Sequence, residues 1–204
     1  MNNPSHHLDF KVTVLGTSGV GKTSILKRYC DGTYSDDTIS TMGANFFSKS
    51  LIIDETELSL SIWDTAGTER FMSIAPSFLR GSNALILVCD ATKMESFDQV
   101  DSFFEQFLLQ TDTKPGDYLP VSLLVNKSDM GDGVITREAI SEWMTRNGVS
   151  FGHFVSAKTG EGVAAALDEL ARSLLIKPNA DHYPLKYVVV QEKHTKISSC
   201  TCNV

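Results

Sequence analysis

The sequence predicts an α/β fold: a mainly parallel six-stranded sheet with one antiparallel edge hairpin and helices on both faces. Three observations carry this expectation. Short apolar runs alternate with stretches of helical period, the order that builds parallel strands joined by crossover helices. Residues 84–89 and 121–125 are apolar almost without interruption, as strands covered on both faces must be. A phosphate-loop pattern, G-x-x-x-x-G-K-[ST], lies between the first apolar run and the first amphipathic stretch.

The elements follow in order. Residues 10–15 read as a strand, and 22–31 as a helix stopped near Asp31-Gly32. Residues 45–53 and 57–63 read as two strands joined by a short acidic turn, hence a hairpin. After the strand at 84–89, Phe97, Val100, Phe103, Phe104, Phe107 and Leu108 recur at helical spacing and predict one helix over 95–110. Lys114-Pro115-Gly116-Asp117 is a loop before the strand at 121–125. Residues 136–146 predict a helix stopped by Asn147-Gly148, 151–155 the last strand, and 162–176 the last helix, before Pro178. The chain therefore divides into a polar arm over 1–8, one domain over 9–177 and a flexible tail over 178–204 without a clear period.

At 204 residues the chain is long enough for one domain with a large core. A net charge of −7 and a sequence pI near 5.2 argue against a general nucleic-acid binder. No apolar run is long enough to span a bilayer, and no signal peptide opens the chain. His6-His7, in a polar arm, is a poor metal ligand set. Cys30 and Cys89 fall in a predicted helix and strand and read as small buried apolar residues; no disulfide framework is implied, which fits a reducing cytosolic setting.

The chemistry sits just past the strand ends, where open α/β sheets bind ligands. Gly16-Thr17-Ser18-Gly19-Val20-Gly21-Lys22-Thr23-Ser24 can turn its N–H groups onto phosphate; Lys22 can reach the β- and γ-phosphates, and Thr23 offers a hydroxyl to Mg²⁺. The helix that begins there turns its positive end to the anion. In Asp64-Thr65-Ala66-Gly67 the aspartate can hold a metal-bound water, and Gly67 leaves a backbone N–H free to approach the γ-phosphate. In Asn126-Lys127-Ser128-Asp129 the Asp129 carboxylate can accept two N–H bonds from the Watson–Crick edge of guanine, where adenine offers the wrong pattern. Ser156-Ala157-Lys158 can present backbone N–H to the guanine O6, and the stems of Lys127 and Lys158 can pack on the base.

These four motifs, in this order and spacing, resemble the small GTPases of the Ras superfamily, over roughly residues 9 to 177. Met42-Gly43-Ala44-Asn45-Phe46, Leu60-Ser61-Ile62-Trp63, Arg70-Phe71-Met72-Ser73-Ile74, Phe78-Leu79-Arg80-Gly81 and Val88-Cys89-Asp90-Ala91-Thr92 are similar to the patterns of its Rab branch. The spacing around the switch and Phe107-Leu108-Leu109-Gln110 lean toward the late-endosomal Rabs. The resemblance implies a GTP-binding switch in vesicle traffic that hydrolyses GTP to GDP with Mg²⁺. It places Tyr34 on the edge of the base, Thr41 as the switch threonine on Mg²⁺ and the γ-phosphate, and Phe46, Trp63 and Phe78 as the aromatic triad that effectors contact. Thr23, Thr41 and Asp64 become the metal set; Lys22, Gly67 and position 68 become the catalytic set. Effectors, an exchange factor, an activator and escort or dissociation-inhibitor proteins are the implied partners of a monomer that cycles between cytosol and the cytoplasmic face of an intracellular, endosomal membrane.

The chain departs from the pattern in two places. The family glutamine that orients the attacking water is Thr68, whose short hydroxyl lacks the paired donor and acceptor of an amide. Slow intrinsic hydrolysis is therefore expected, with an activator able to supply an arginine and a glutamine in trans; the alternative is a GTP-loaded scaffold deficient in hydrolysis. Asn45 replaces the usual aspartate and removes a charge from the effector surface. The Rab resemblance also implies geranylgeranylation of Cys200 and Cys202, here followed by Asn203-Val204, since two chains are needed for stable anchoring. Lys186, Lys193 and Lys196 could add attraction to anionic lipid. A P-loop small-molecule kinase ranks far below, because it lacks an arginine-rich lid and leaves N-K-x-D unexplained.

Overall fold

The computed structural model describes residues 8–37, 40–41, 43–67, 76–111, 113–114, 117–131, 133–149 and 151–176. Six strands form one sheet in the order β2-β3-β1-β4-β5-β6. They are β1 (Leu8–Leu15), β2 (Ala44–Ile53), β3 (Thr56–Thr65), β4 (Ala84–Asp90), β5 (Val121–Asn126) and β6 (Phe151–Phe154). The β2–β3 pair is antiparallel and every other pair is parallel, as the sequence predicts. The hairpin closes at Asp54-Glu55, both with positive φ (47° and 65°). Two such residues twist the chain in the sense that flanking strands require.

Among the described residues, six α-helical segments accompany the sheet: α1 (Lys22–Asp31), α2 (Pro76–Leu79), α3 (Met94–Asp98), α4 (Val100–Thr111), α5 (Arg137–Asn147) and α6 (Val163–Leu174). The continuous helix expected over 95–110 is two helices, a correction with a local cause. Ser96 Oγ accepts from Asp90 N–H at 2.8 Å and donates to Lys93 O at 2.7 Å, which ties the first turn to the end of β4. Gln99 follows as the break, and α4 then runs on with Phe103, Phe104 and Phe107 inward. The short α2, four residues long, has no periodic signal in the sequence.

Burial follows the period-2 rule on β4. Ala84, Ile86 and Val88 join the core beneath α1 and α6; Leu85, Leu87 and Cys89 join the core beneath α4 and α5. Two polar links hold the helical layers in place. Tyr29 Oη donates to Asp168 Oδ1 at 2.7 Å and ties α1 to α6, and burial beside that carboxylate pushes the phenol upward from its ordinary pKa. Asp101 of α4 accepts from buried Trp143 Nε1 at 2.7 Å and from Arg146 Nη2 at 2.7 Å, both on α5. The Arg146 pair is solvent-exposed and contributes little, whereas the indole N–H would be left unpaired by Asp101→Ala. That variant should lose about 1–2 kcal/mol and melt a few degrees lower, measured by thermal denaturation; an unchanged midpoint would contradict this reading.

The strand order also places the site. From β1 the chain runs to the β2–β3 hairpin on one side, and from β3 it crosses to β4 on the other, so the order reverses at β1 and the crevice opens at its carboxyl end, where the phosphate-loop pattern begins.

Candidate nucleotide site

A cleft of about 640 Å³ opens at the carboxyl edge of the sheet. Ser18, Gly19, Gly21, Lys22, Thr23, Ser24, Tyr34, Thr41, Gly67, Asn126, Lys127, Asp129, Ala157 and Lys158 line it, together with Asp36, Ser40 and Met130. Fourteen of the residues singled out in the sequence thus converge on one cavity from five segments of chain.

The phosphate loop owes its shape to backbone choices. Gly21 has φ +96°, in the left-handed region, and a Cβ there would collide with Asn126 Nδ2. The α1 helix starts at Lys22, so its unpaired N–H groups face the cleft. Gly67 lies so close to the loop that a Cβ would press on Ser18 N and sit 2.6 Å from Lys22 Nζ. Lys22 is buried at 6% exposure and donates to Gly16 O at 2.8 Å and Thr17 O at 3.0 Å. Burial pulls its ammonium down to about 8 while Asp64 draws it back up. An arriving phosphate would add negative charge beside it and favour the protonated form.

Three side-chain oxygens meet near Lys22. Thr23 Oγ1 lies 2.6 Å from Asp64 Oδ2 and 2.8 Å from Thr41 Oγ1. Asp64 is fully buried, and its Oδ1 has no hydrogen-bond partner among the described residues. A buried carboxylate oxygen without a donor is costly unless a cation or a water answers it. Burial pushes the Asp64 carboxyl upward, against the Thr23 hydroxyl and the Lys22 ammonium. An all-oxygen set with spare valence suits a hard divalent ion that keeps several waters, as Mg²⁺ does. Thr41, rather than its neighbour Ser40, reaches this cluster.

The wall formed by the Asn126 and Ser156 segments is built from linked loops. Asn126 donates through Nδ2 to Val20 O at 2.8 Å and accepts through Oδ1 from Ala157 N–H at 3.0 Å, so one buried amide joins the phosphate loop to the Ser156 loop. Ser156 Oγ donates to Asp129 Oδ1 at 2.5 Å and fixes the direction of that carboxylate. Val20 and Ser156 are both buried, and each braces the wall through these bonds. Lys127 has φ +67°, and its ammonium lies 2.6 Å from Asp90 Oδ2. Burial raises the Asp90 carboxyl, but Lys127 and the two Thr92 donors outweigh it and hold the group below its ordinary value.

Phe46, Trp63 and Phe78 form a row of contacting rings, edge-on for Phe46–Trp63 and tilted for Trp63–Phe78. Their centroids are 5.5 Å apart for Phe46–Trp63 and 5.4 Å for Trp63–Phe78. Phe46 is 55% exposed, too open to be plain core. Thr68, Cys200 and Cys202 lie outside the described residues, as do Thr38, Met42 and much of the segment after Gly67.

Sequence reasoning missed Asp90 and Arg28. Asp90 lay inside a recognised segment with no role attached; its D-x-T spacing, with Thr92 N–H and Oγ1 both donating to Oδ1, was the usable signal. Arg28 carries no local signal, because its partners Ala157 and Lys158 are about 130 residues away in the chain.

A Ras family model matches residues 11–176. The chain is 34% identical to Ras-related protein Rab-7b of Paramecium octaurelia over 197 residues, covering 94% of this chain and 96% of that one. It is 38% identical to Ras-related protein Rab7 of Gossypium hirsutum over 168 residues, 81% of each chain. It is 34% identical to Ras-related protein Rab7 of Drosophila melanogaster over 166 residues, 81% of this chain and 80% of that one. With the six-stranded sheet and its phosphate loop, these matches place the chain in the Ras family of small GTPases. Within that family it is a Rab GTPase, of the class that acts in membrane traffic, and its relatives are of the Rab7 type.

Proposed function

We propose that this GTPase is a Mg²⁺-dependent switch of late-endosomal traffic, with guanine read by Asp129 and the Ser156 loop. The observation that supports it best is the convergence of Thr23, Thr41 and Asp64 at one end of a cleft whose other end holds Asp129 and Lys158. Mg²⁺ at Thr23, Thr41 and Asp64 would neutralise developing phosphate charge. Ser18, Gly19, Val20, Gly21, Ser24 and Lys22 cradle the phosphates, and Lys127 and Lys158 flank the base with Tyr34 at its edge. Thr41 and Gly67 sense the γ-phosphate and order the segments 34–46 and 64–78. The Phe46–Trp63–Phe78 row is then the effector surface, altered by the neutral Asn45.

Thr68 in place of glutamine makes intrinsic hydrolysis slow and leaves an activator to supply the missing groups. The same residue favours a second reading, a GTP-loaded scaffold that binds partners without meaningful turnover. Incubating the GTP-loaded chain and chromatographing the extracted nucleotide over time separates the two. Slow conversion to GDP that an activator accelerates supports the switch; no conversion under any activator supports the scaffold; a chain that retains no guanine nucleotide on loading sinks both.

Prenylation of Cys200 and Cys202 would hold the GTPase on the cytoplasmic face of an endosomal membrane, since two isoprenoid chains give stable anchoring where one does not. Mass spectrometry of the protein from its native cells should show two geranylgeranyl groups; an unmodified peptide carrying both thiols would overturn the anchor.

A further inference from the structure

Arg28 reaches out of α1 and grips the base-binding loop from behind. Its Nε donates to Ala157 O at 2.9 Å, its Nη2 to Lys158 O at 2.7 Å and its Nη1 to Gly32 O at 3.0 Å. The guanidinium also lies 5.8 Å from the centre of the Tyr34 ring. A planar fork with fixed donor directions suits this task as a lysine ammonium does not.

The consequence is in the peptide geometry. In a trans peptide the carbonyl and the following N–H point in opposite directions. With Ala157 O drawn toward Arg28, the Lys158 N–H is turned away from it, to the side where Lys158 lines the cleft and Arg28 does not. The neighbouring N–H groups are committed inside the protein: Ser156 N to Glu161 O, Ala157 N to Asn126 Oδ1, and Thr159 N to Ser156 Oγ. Among the described residues, Lys158 therefore supplies the loop's remaining donor toward the ligand.

We propose that Arg28 is a positioning residue for base recognition, one that holds the Ala157–Lys158 peptide so that the Lys158 N–H meets the acceptor at position 6 of a bound guanine. This rests on the guanine-reading role of the Asp129 and Ser156 loops. Asp129 reads the other edge, the N1–H and 2-amino groups, and Arg28 does not touch it. The same guanidinium joins the loop to Gly32 and Tyr34, so the position-6 donor and the chain leading to Thr41 share one anchor.

The test compares two losses in the base. Inosine diphosphate lacks the 2-amino group that Asp129 reads; 6-thioguanosine diphosphate keeps it and replaces the position-6 oxygen by sulfur, a weak acceptor. Affinities of both, relative to GDP, are measured by competition on the full chain, on Arg28→Met and on Arg28→Lys. The wild type should favour GDP over both analogues. In Arg28→Met the preference over the 6-thio analogue should shrink at least about threefold, the loss of a charge-assisted positioning contact, while the preference over inosine diphosphate stays. Arg28→Lys should fall between, because an ammonium can serve one carbonyl direction well but not the fork. If both preferences shrink together, Arg28 is general scaffolding and the proposal fails; if neither moves, it also fails. If Arg28→Met does not fold, Arg28→Lys carries the same comparison. A wild type indifferent to both analogues would instead overturn the guanine-reading role beneath it.

Discussion

Asp129→Asn should trade guanine for xanthine. The Asp129 carboxylate is held by Ser156 Oγ at 2.5 Å and lines the cleft. As a carboxylate it is acceptor-only, matching two N–H groups on guanine, at N1 and at the 2-amino position. An amide keeps one acceptor and gains one donor, which matches N1–H and the 2-oxo group of xanthine. Guanine would then face an N–H with its own N–H, and at least one buried donor would go unpaired. Sites built to pair a specific group reject a mismatched partner by about 10⁴–10⁵, so GTP affinity should drop by about a thousandfold or more. Xanthosine triphosphate should then bind the variant better than GTP does. Competition binding with the two nucleotides reads this directly. A variant that still prefers GTP would mean that Asp129 does not face the base.

The second large effect is at position 68. Thr68→Gln should raise intrinsic hydrolysis by about tenfold or more, equivalent to roughly 1.4 kcal/mol or more of barrier. The reason is the chemistry of the side chain. A glutamine amide can accept from the attacking water and donate toward the phosphate at once, while a threonine hydroxyl is shorter and offers one oxygen. The rest of the machinery would be common to both proteins: Lys22 at the loop, the Thr23–Asp64 pair and the close approach of Gly67 to Ser18. Single-turnover hydrolysis of GTP-loaded wild type and variant decides it. Equal rates would show that the threonine is not what limits the chemistry.

Much of this site was legible because phosphate and base recognition are written in short stretches. Gly21, Lys22 and Thr23 are neighbours in sequence, and so are Asn126, Lys127 and Asp129; the alternating strands and helices then dictate that the stretches meet at one sheet edge. The period of Phe103, Phe104 and Phe107 gave α4, but it could not show where Ser96 ties α3 to β4 and breaks the line. The bonds that fix the donors were out of reach for a simple reason. Arg28 with Ala157, Asn126 with Val20 and Trp143 with Asp101 join residues far apart in the chain, and no local pattern marks a long-range pair. Asn126 and Ser156 could be assigned to the base from their motifs. Their links to other loops, Asn126 across to Val20 and Ser156 onto Asp129, follow only from the folded geometry.

The central claim is that the cleft accepts one purine and refuses the other while holding a triphosphate. Titration calorimetry of the nucleotide-stripped chain with GTP and with ATP, each in the presence of Mg²⁺, tests it most directly. GTP should bind at least about a thousandfold more tightly, as a site with a dedicated carboxylate for the guanine edge requires. Equal affinities for the two nucleotides, or heat from neither, would contradict it.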